Sequence, residues 1–134
     1  MNTALQNTIL TVASDICGTL DHHWKHVSFI VDRRSILSIG WNQPFKTHPI
    51  AERFKYRYAA IHSELHAILK FPRPNRELYK YQFINVRIDK FGKLKMAKPC
   101  SKCLVLLSFF GVREVEFSNS KGFFETMSLE KYHV

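Results

Sequence analysis

Two short runs decide how this chain is read: His62-Ser63-Glu64 and, further along, Pro99-Cys100-Ser101-Lys102-Cys103. One imidazole and two thiolates make three ligands for a tetrahedral zinc ion and leave a fourth position for water. Glu64 stands two residues from the histidine and need not be a ligand, so it is free to move protons. Each run falls where a helix is expected to begin. His62 lies in the first turns of a helix expected over residues 59–70, and Cys100 and Cys103 span the start of one expected over Ser101–Phe110. Helix N-termini carry partial positive charge and free N–H groups, which lower thiolate pKa values and stabilise anionic ligands. Residues three apart share one helix face, so Cys100 and Cys103 can grip the same ion.

Around these runs the chain alternates between helical and strand patterns. Ala60, Ile61, Leu65, Ile68 and Leu69 give the 59–70 helix its apolar face, and Pro72 and Pro74 stop it. Upstream, Val27-to-Val31 and Ile36-to-Trp41 read as a hairpin turned at Asp32-Arg33-Arg34-Ser35. Gly40 within it predicts a close backbone approach or a bulge. Residues 42–58 read as a long polar loop mixing Lys46, His48, Arg53, Lys55 and Arg57 with Phe45, Phe54, Tyr56 and Tyr58. Such a mixture either grips phosphates and stacks bases, or packs its rings down and leaves its charges in water. At the start, Thr3-Ala4-Leu5-Gln6 fits a capping box for a helix near residues 4–17, ended at Gly18.

Downstream, Ile84, Val86 and Ile88 alternate in a third strand. Asp89-to-Lys93 turns it into a short strand over residues 94–97. Leu104, Val105, Leu107 and Phe110 face the core from the last helix, and Gly111 ends it. Val112, Val115 and Phe117 give a fourth strand, Ser118-to-Gly122 a turn, and residues 122–129 a short helix or a trailing end. Helix, two strands, helix, strand, helix, strand predicts an α/β chain with one mixed sheet and two β–α crossovers.

The 134 residues suit a single domain spanning 1–134. A hydrophobic share of 46% and an aromatic share of 13% exclude a disordered chain. The net charge of +9 favours anionic partners, a nucleotide, a nucleic acid or an acidic surface, over neutral ones. Three cysteines, two of them paired in the motif, are no disulfide framework and point to a reducing, cytoplasmic setting. Cys17 reads as a small core residue. No apolar run reaches the roughly 18 residues a membrane span needs, and no secretory signal is evident.

Other readings of the histidines and cysteines are weaker. His22, His23 and His26 cluster around Trp24 but lack neighbouring cysteines or carboxylates, so a polar loop before a strand accounts for them. A closed structural zinc site would need a fourth protein ligand, for which His66, four residues from His62, is the candidate. The H-E-x-x-H pattern of metalloproteases is absent. A redox pair at Cys100 and Cys103 would leave the preceding H-x-E as coincidence.

Over residues 26–118 the chain resembles the cytidine/deoxycytidylate deaminase superfamily, and is similar as well to the tRNA adenosine deaminases. The resemblance rests on the strand pair ending Gly40-Trp41-Asn42, on His62-Ser63-Glu64 and on Pro99-Cys100-Ser101-Lys102-Cys103, in that order. It implies a three-layer α/β/α fold with a mixed central sheet of about five strands and helices on both faces. It further implies Zn2+ held by His62, Cys100 and Cys103, with Glu64 as proton shuttle and Asn42 as a contact to the substrate's sugar or base. The main chain at Ser63 and Pro99 would border the base pocket. Ser63 stands where the family often has Ala, Arg73–Tyr81 reads as an insertion, and the end after the fourth strand is short, which suggests completion by a homo-oligomer. The implied activity is zinc-dependent hydrolytic deamination of a cytosine base, in a nucleotide such as dCMP. The alternatives are a deaminase of cytosine or adenine in single-stranded DNA or RNA, and a non-catalytic nucleic-acid-binding module with a structural zinc.

Overall fold

The computed structural model describes residues 1–20, 25–44, 46, 48–54, 60–72 and 77–132. In chain order the elements are α1 (Thr3–Thr19), β1 (His26–Val31), β2 (Ile36–Trp41), β3 (Gln43–Pro44), α2 (Pro49–Arg53), β4 (Ala60–Ile61) and α3 (Ser63–Lys70), then β5 (Gln82–Ile88), β6 (Leu94–Lys95), α4 (Ser101–Phe109), β7 (Glu114–Ser118) and β8 (Phe124–Ser128). The main sheet runs β2-β1-β5-β7-β8, with β6 added to β5, and β3 pairs with β4 apart from it. β5 and β7 are parallel and joined over α4; the other pairings are antiparallel. β2 and β5 both run antiparallel to β1, so α3 makes a second crossover between the strands flanking β1. The expected mixed sheet and both crossovers are present.

Period-2 alternation sorts the layers. On one face Val27, Phe29 and Val31 of β1 and Ile84, Val86 and Ile88 of β5 pack on Leu5, Ile9, Ala13 and Cys17 of α1. On the other, Ile30 and Phe83 pack with Leu65 and Ile68 of α3 and Leu104 and Leu107 of α4. Each such fully buried aliphatic or aromatic side chain stabilises the fold by about 1.5–3 kcal/mol. Helices therefore cover both faces, as the resemblance implied. Cys17 is a buried core thiol whose Sγ donates to the Lys25 carbonyl at 3.2 Å.

Several local expectations need correcting. The first helix is capped by Asn2, not Thr3: Asn2 Oδ1 accepts from Leu5 N–H at 2.7 Å, and Gly18 lies inside the helix. The second long helix starts at Ser63, after the β4 strand at Ala60–Ile61, so His62 is its N-cap residue and not part of its first turns. The 42–58 loop holds a short helix, α2, with Pro49 in its first turn and His48 Nδ1 accepting from Ile50 N–H at 3.1 Å. Phe45, Lys55, Tyr56, Arg57 and Tyr58 of that loop lie outside the described residues, as do His22, His23 and Trp24 and residues 73–76 of the apparent insertion.

The segment expected to be a short helix or trailing end over 122–129 is instead mostly a strand, β8. β8 pairs with β7 through a turn in which Asn119 Oδ1 accepts from Lys121 and Phe123 N–H and Gly122 takes φ +88°. A fifth main strand thus follows the fourth, and Leu129 beyond it is fully buried. Gly111 behaves as expected. At φ +92° it ends α4, with Gly111 N–H on the Ser108 carbonyl and Val112 N–H on that of Leu107, both at 3.0 Å.

Candidate metal centre

Gly40 sets the site's spacing. A side chain there would run into the backbone of α3, at Ala67 N and at the Ser63 carbonyl, and would lie 2.8 Å from Ala67 Cα. Glycine lets β2 lie directly against the helix, and Ser38 Oγ fastens the contact by donating to the Ala67 carbonyl at 2.7 Å. The bulge lies elsewhere, at Ile30–Val31 in the β1–β2 pairing. Seated this way, β2 delivers Asn42 to the start of α3. Its Oδ1 accepts from Ser63 N–H at 2.8 Å, doing the capping that the His62 side chain does not do. His62, with extended backbone (φ −70°, ψ 156°), makes no side-chain capping bond to α3.

Cys100 is likewise an N-cap residue, at the start of α4 (φ −66°, ψ 165°). Cys100, Cys103 and His62 form a potential metal-binding group, with ligand atoms within 4.8 Å of one another. His62 Nδ1 is 3.4 Å from Cys103 Sγ and 3.8 Å from Cys100 Sγ. Tetrahedral zinc, at ~2.3 Å from sulfur and ~2.0–2.1 Å from nitrogen, requires an N···S separation of about 3.6 Å. The donor set therefore fits zinc in chemistry and in size. Cys103 is buried, His62 half-buried and Cys100 exposed, so the set opens toward solvent at one edge.

The charges suit a cation. Cys100 is lowered to a pKa of about 4, chiefly by the Cys103 hydrogen bond and further by His62, against the upward pull of burial. For His62 burial pulls the pKa down, but the Cys100 hydrogen bond and the charges of Glu64 and Cys100 outweigh it and the net shift is upward. A metal would replace that proton. His66 does not join the group. Its Nδ1 accepts from Trp41 N–H at 3.0 Å, and Gln43 Nε2 lies 2.9 Å from its Nε2. The three-donor group thus gains no fourth protein ligand from His66.

Glu64 lies 3% exposed in the first turn of α3. Its Oε1 accepts from Ser63 Oγ at 3.1 Å and its Oε2 from Asn85 Nδ2 at 2.9 Å. Ser63 is fully buried, and Pro99 is buried just ahead of Cys100. Three residues here were not assigned to this site from the sequence. Ser28 of β1 and Asn85 of β5 are a cross-strand pair on the face toward Glu64, both fully buried. His26, which in sequence looks like part of a loop cluster, begins β1 and pairs with Arg87 on the same face. The His26 pKa is lowered, chiefly by burial, and it feels the charges of Glu64, Arg87, His62 and Cys100. From core to rim, this face steps from Ile30/Phe83 to Ser28/Asn85 to His26/Arg87, from apolar to neutral polar to a rim whose cation is Arg87.

No protein-family model matches the chain, and no curated protein sequence does. Solved structures do match. The fold is similar to dCMP deaminase from the cyanophage S-TIM5 in apo form, with 19% identity, 89% of this chain and 86% of that chain covered, and a TM-score of 0.60. In its complex with dCMP and dUMP that protein matches at 17% identity, 87% and 82% coverage, and TM-score 0.59. Cytidine deaminase from Burkholderia pseudomallei matches at 13% identity, covering 98% of this chain and 96% of that one, with TM-score 0.59. The chain thus has the cytidine-deaminase-like α/β fold, and its His-Cys-Cys group suits the zinc site that the sequence resemblance implied.

Proposed function

We propose that this chain is a hydrolytic deaminase of a cytosine base carried on a nucleotide such as dCMP, with water and the base giving uracil and ammonia. One observation carries the reading: an open-edged set of His62, Cys100 and Cys103 with the buried carboxyl of Glu64 in the same helix start. Those three residues would hold zinc, which when bound supplies a Lewis acid that brings the pKa of water near neutrality. Glu64 takes the proton of the attacking water and passes it to the ring nitrogen, then assists the departure of ammonia. Asn42, its Oδ1 engaged at the Ser63 N–H, presents its amide nitrogen to the substrate. The main chain at Ser63 and Pro99 borders the base.

The His26–Arg87 rung supports a nucleotide over a nucleoside. Among the described residues no carboxylate pairs with the Arg87 guanidinium, and a phosphate would supply the missing charge. A second reading has its own support. β5 and β7 run parallel, so the turns after them lie at one edge of the sheet. They carry exposed Phe91 (75%) and Phe123 (67%) beside Lys90, Lys93 and Lys121, rings and cations suited to a single-stranded nucleic acid.

The test is a panel of dCMP, CMP, their nucleosides and cytosine- or adenine-containing oligonucleotides, offered to zinc-loaded protein and to Glu64→Gln. Release of dUMP from dCMP, lowered by about 10²–10⁴-fold in Glu64→Gln with zinc content unchanged, is the expected result. Turnover confined to oligonucleotides would favour the second reading. Turnover of none would sink both.

A further inference from the structure

Ser28 and Asn85 place two uncharged polar side chains, 0% exposed, on a sheet face directly beside the core rung of Ile30 and Phe83. Burying such groups is unfavourable unless every one is bonded. Here the polar contacts close a ring, in which the two hydroxyl protons serve Glu64 Oε1 and Asn85 Oδ1 and the Ser63 Oγ–Ser28 Oγ contact carries none. Glu64 Oε1 meets Ser63 Oγ at 3.1 Å, Ser63 Oγ meets Ser28 Oγ at 2.8 Å, and Ser28 Oγ meets Asn85 Oδ1 at 2.6 Å. Asn85 Nδ2 returns to Glu64 Oε2 at 2.9 Å. The same Nδ2 also donates to the Ala97 carbonyl at 3.3 Å.

Donor counting fixes the direction of the amide. Asn85 Nδ2 has two protons, and both Glu64 Oε2 and the Ala97 carbonyl are acceptors. A flipped amide would set oxygen against two oxygens, so Oδ1 must face Ser28, whose single hydroxyl proton it accepts. The amide is thus held at both ends, its nitrogen on Glu64 and Ala97 and its oxygen on Ser28. One amide group then spans two parts of the site, the Glu64 carboxylate and the segment that runs from Ala97 through Pro99 into Cys100.

We propose that Asn85 is a positioning residue, its oxygen held by Ser28, that sets the plane of the Glu64 carboxylate and its separation from the cysteine-bearing segment. The inference rests on the deaminase reading for its catalytic consequence, and on the ring alone for its structural one. Misplacing a reacting group by an ångström can cost about a hundredfold in rate, with binding little changed.

Two measurements separate those parts. In zinc-loaded protein, Asn85→Ala is expected to lower kcat for dCMP by about ten- to a hundredfold with KM and zinc content near wild type. Ser28→Ala, which frees the amide oxygen but keeps the amide donors, should lose less. In ¹⁵N-labelled metal-free protein, the Asn85 side-chain amide protons should be protected from exchange, and Glu64→Ala should shift them and remove that protection. An unchanged kcat in Asn85→Ala, or Asn85 amide signals indifferent to Glu64→Ala, overturns the proposal. If Asn85→Ala does not fold, Ser28→Ala and the amide signals decide it. If the wild-type protein deaminates nothing, the functional reading fails, and the amide signals still decide whether Asn85 holds Glu64.

Discussion

Cys100 sits at the exposed edge of the donor set, and its thiol is held at a pKa of about 4 against an ordinary 9.0. Between those limits the folded metal-free chain holds a thiolate where the unfolded chain holds a thiol. The folded state then binds fewer protons, so this group's contribution to stability grows as pH rises across that window and is gone below about 4. The contribution is complete above 9.0. Reactivity reports the same shift. In metal-free protein at about pH 6, iodoacetamide should label Cys100 well before the buried Cys17 and Cys103, and zinc should block the labelling. Mass spectrometry of the peptides reads it, and labelling of Cys100 no faster than of an ordinary thiol contradicts it. At this scale the convergence of His62, Cys100 and Cys103 could be read from the sequence, because chemistry restricts such donor sets to few residue types at few spacings. Ser28 and Asn85 could not, because a polar residue in an alternating strand reads as solvent-facing. Only the register, which sets them side by side beneath α3, reveals them as buried.

The elements that sequence located well are those whose ends carry their own stop signals. The Asp32 turn, the Asp89 turn and the Gly111 terminus all hold bonds within a few residues. The start of α3 was misplaced because its cap comes from Asn42, 21 positions away, and no local pattern records that. β8 was misread because Phe124-to-Ser128 becomes a strand through its pairing with β7, not through propensity. Gly40 shows the same dependence and gives a test. In Gly40→Ala the added methyl meets backbone atoms that cannot rotate away, so β2 and α3 must separate. That should destabilise the protein by about 3 kcal/mol, the upper end for an overpacked core. It should also weaken zinc binding, since His62 and Asn42 ride on the two elements being parted. Urea unfolding and a zinc titration measure both, and a variant as stable as wild type would refute the close packing.

On the nucleotide reading, the charge of +9 and the Arg87 guanidinium at the rim act on the same ligand at different ranges. A nucleoside monophosphate is drawn by the whole field, while a nucleoside is not. The two contributions separate with salt, because the Debye length falls from ~30 Å at ~0.01 M to ~3 Å at ~1 M, while contacts made in a half-buried site are screened much less. If the nucleotide reading holds, kcat/KM for dCMP should fall as salt rises, while that for deoxycytidine stays level. At high salt a preference for dCMP should persist, because the remaining discrimination comes from direct contact at His26 and Arg87. Arg87→Ala should remove that residual preference, raising KM for dCMP by about tenfold, the worth of one hydrogen bond to a charged group. It should leave deoxycytidine kinetics and zinc content near wild type. Steady-state rates for both substrates at low and high salt, in wild type and Arg87→Ala, give the four comparisons. A dCMP preference that vanishes with salt in the wild type would assign phosphate recognition to net charge alone. One that survives Arg87→Ala would move the phosphate off this rung, to other cations of the chain.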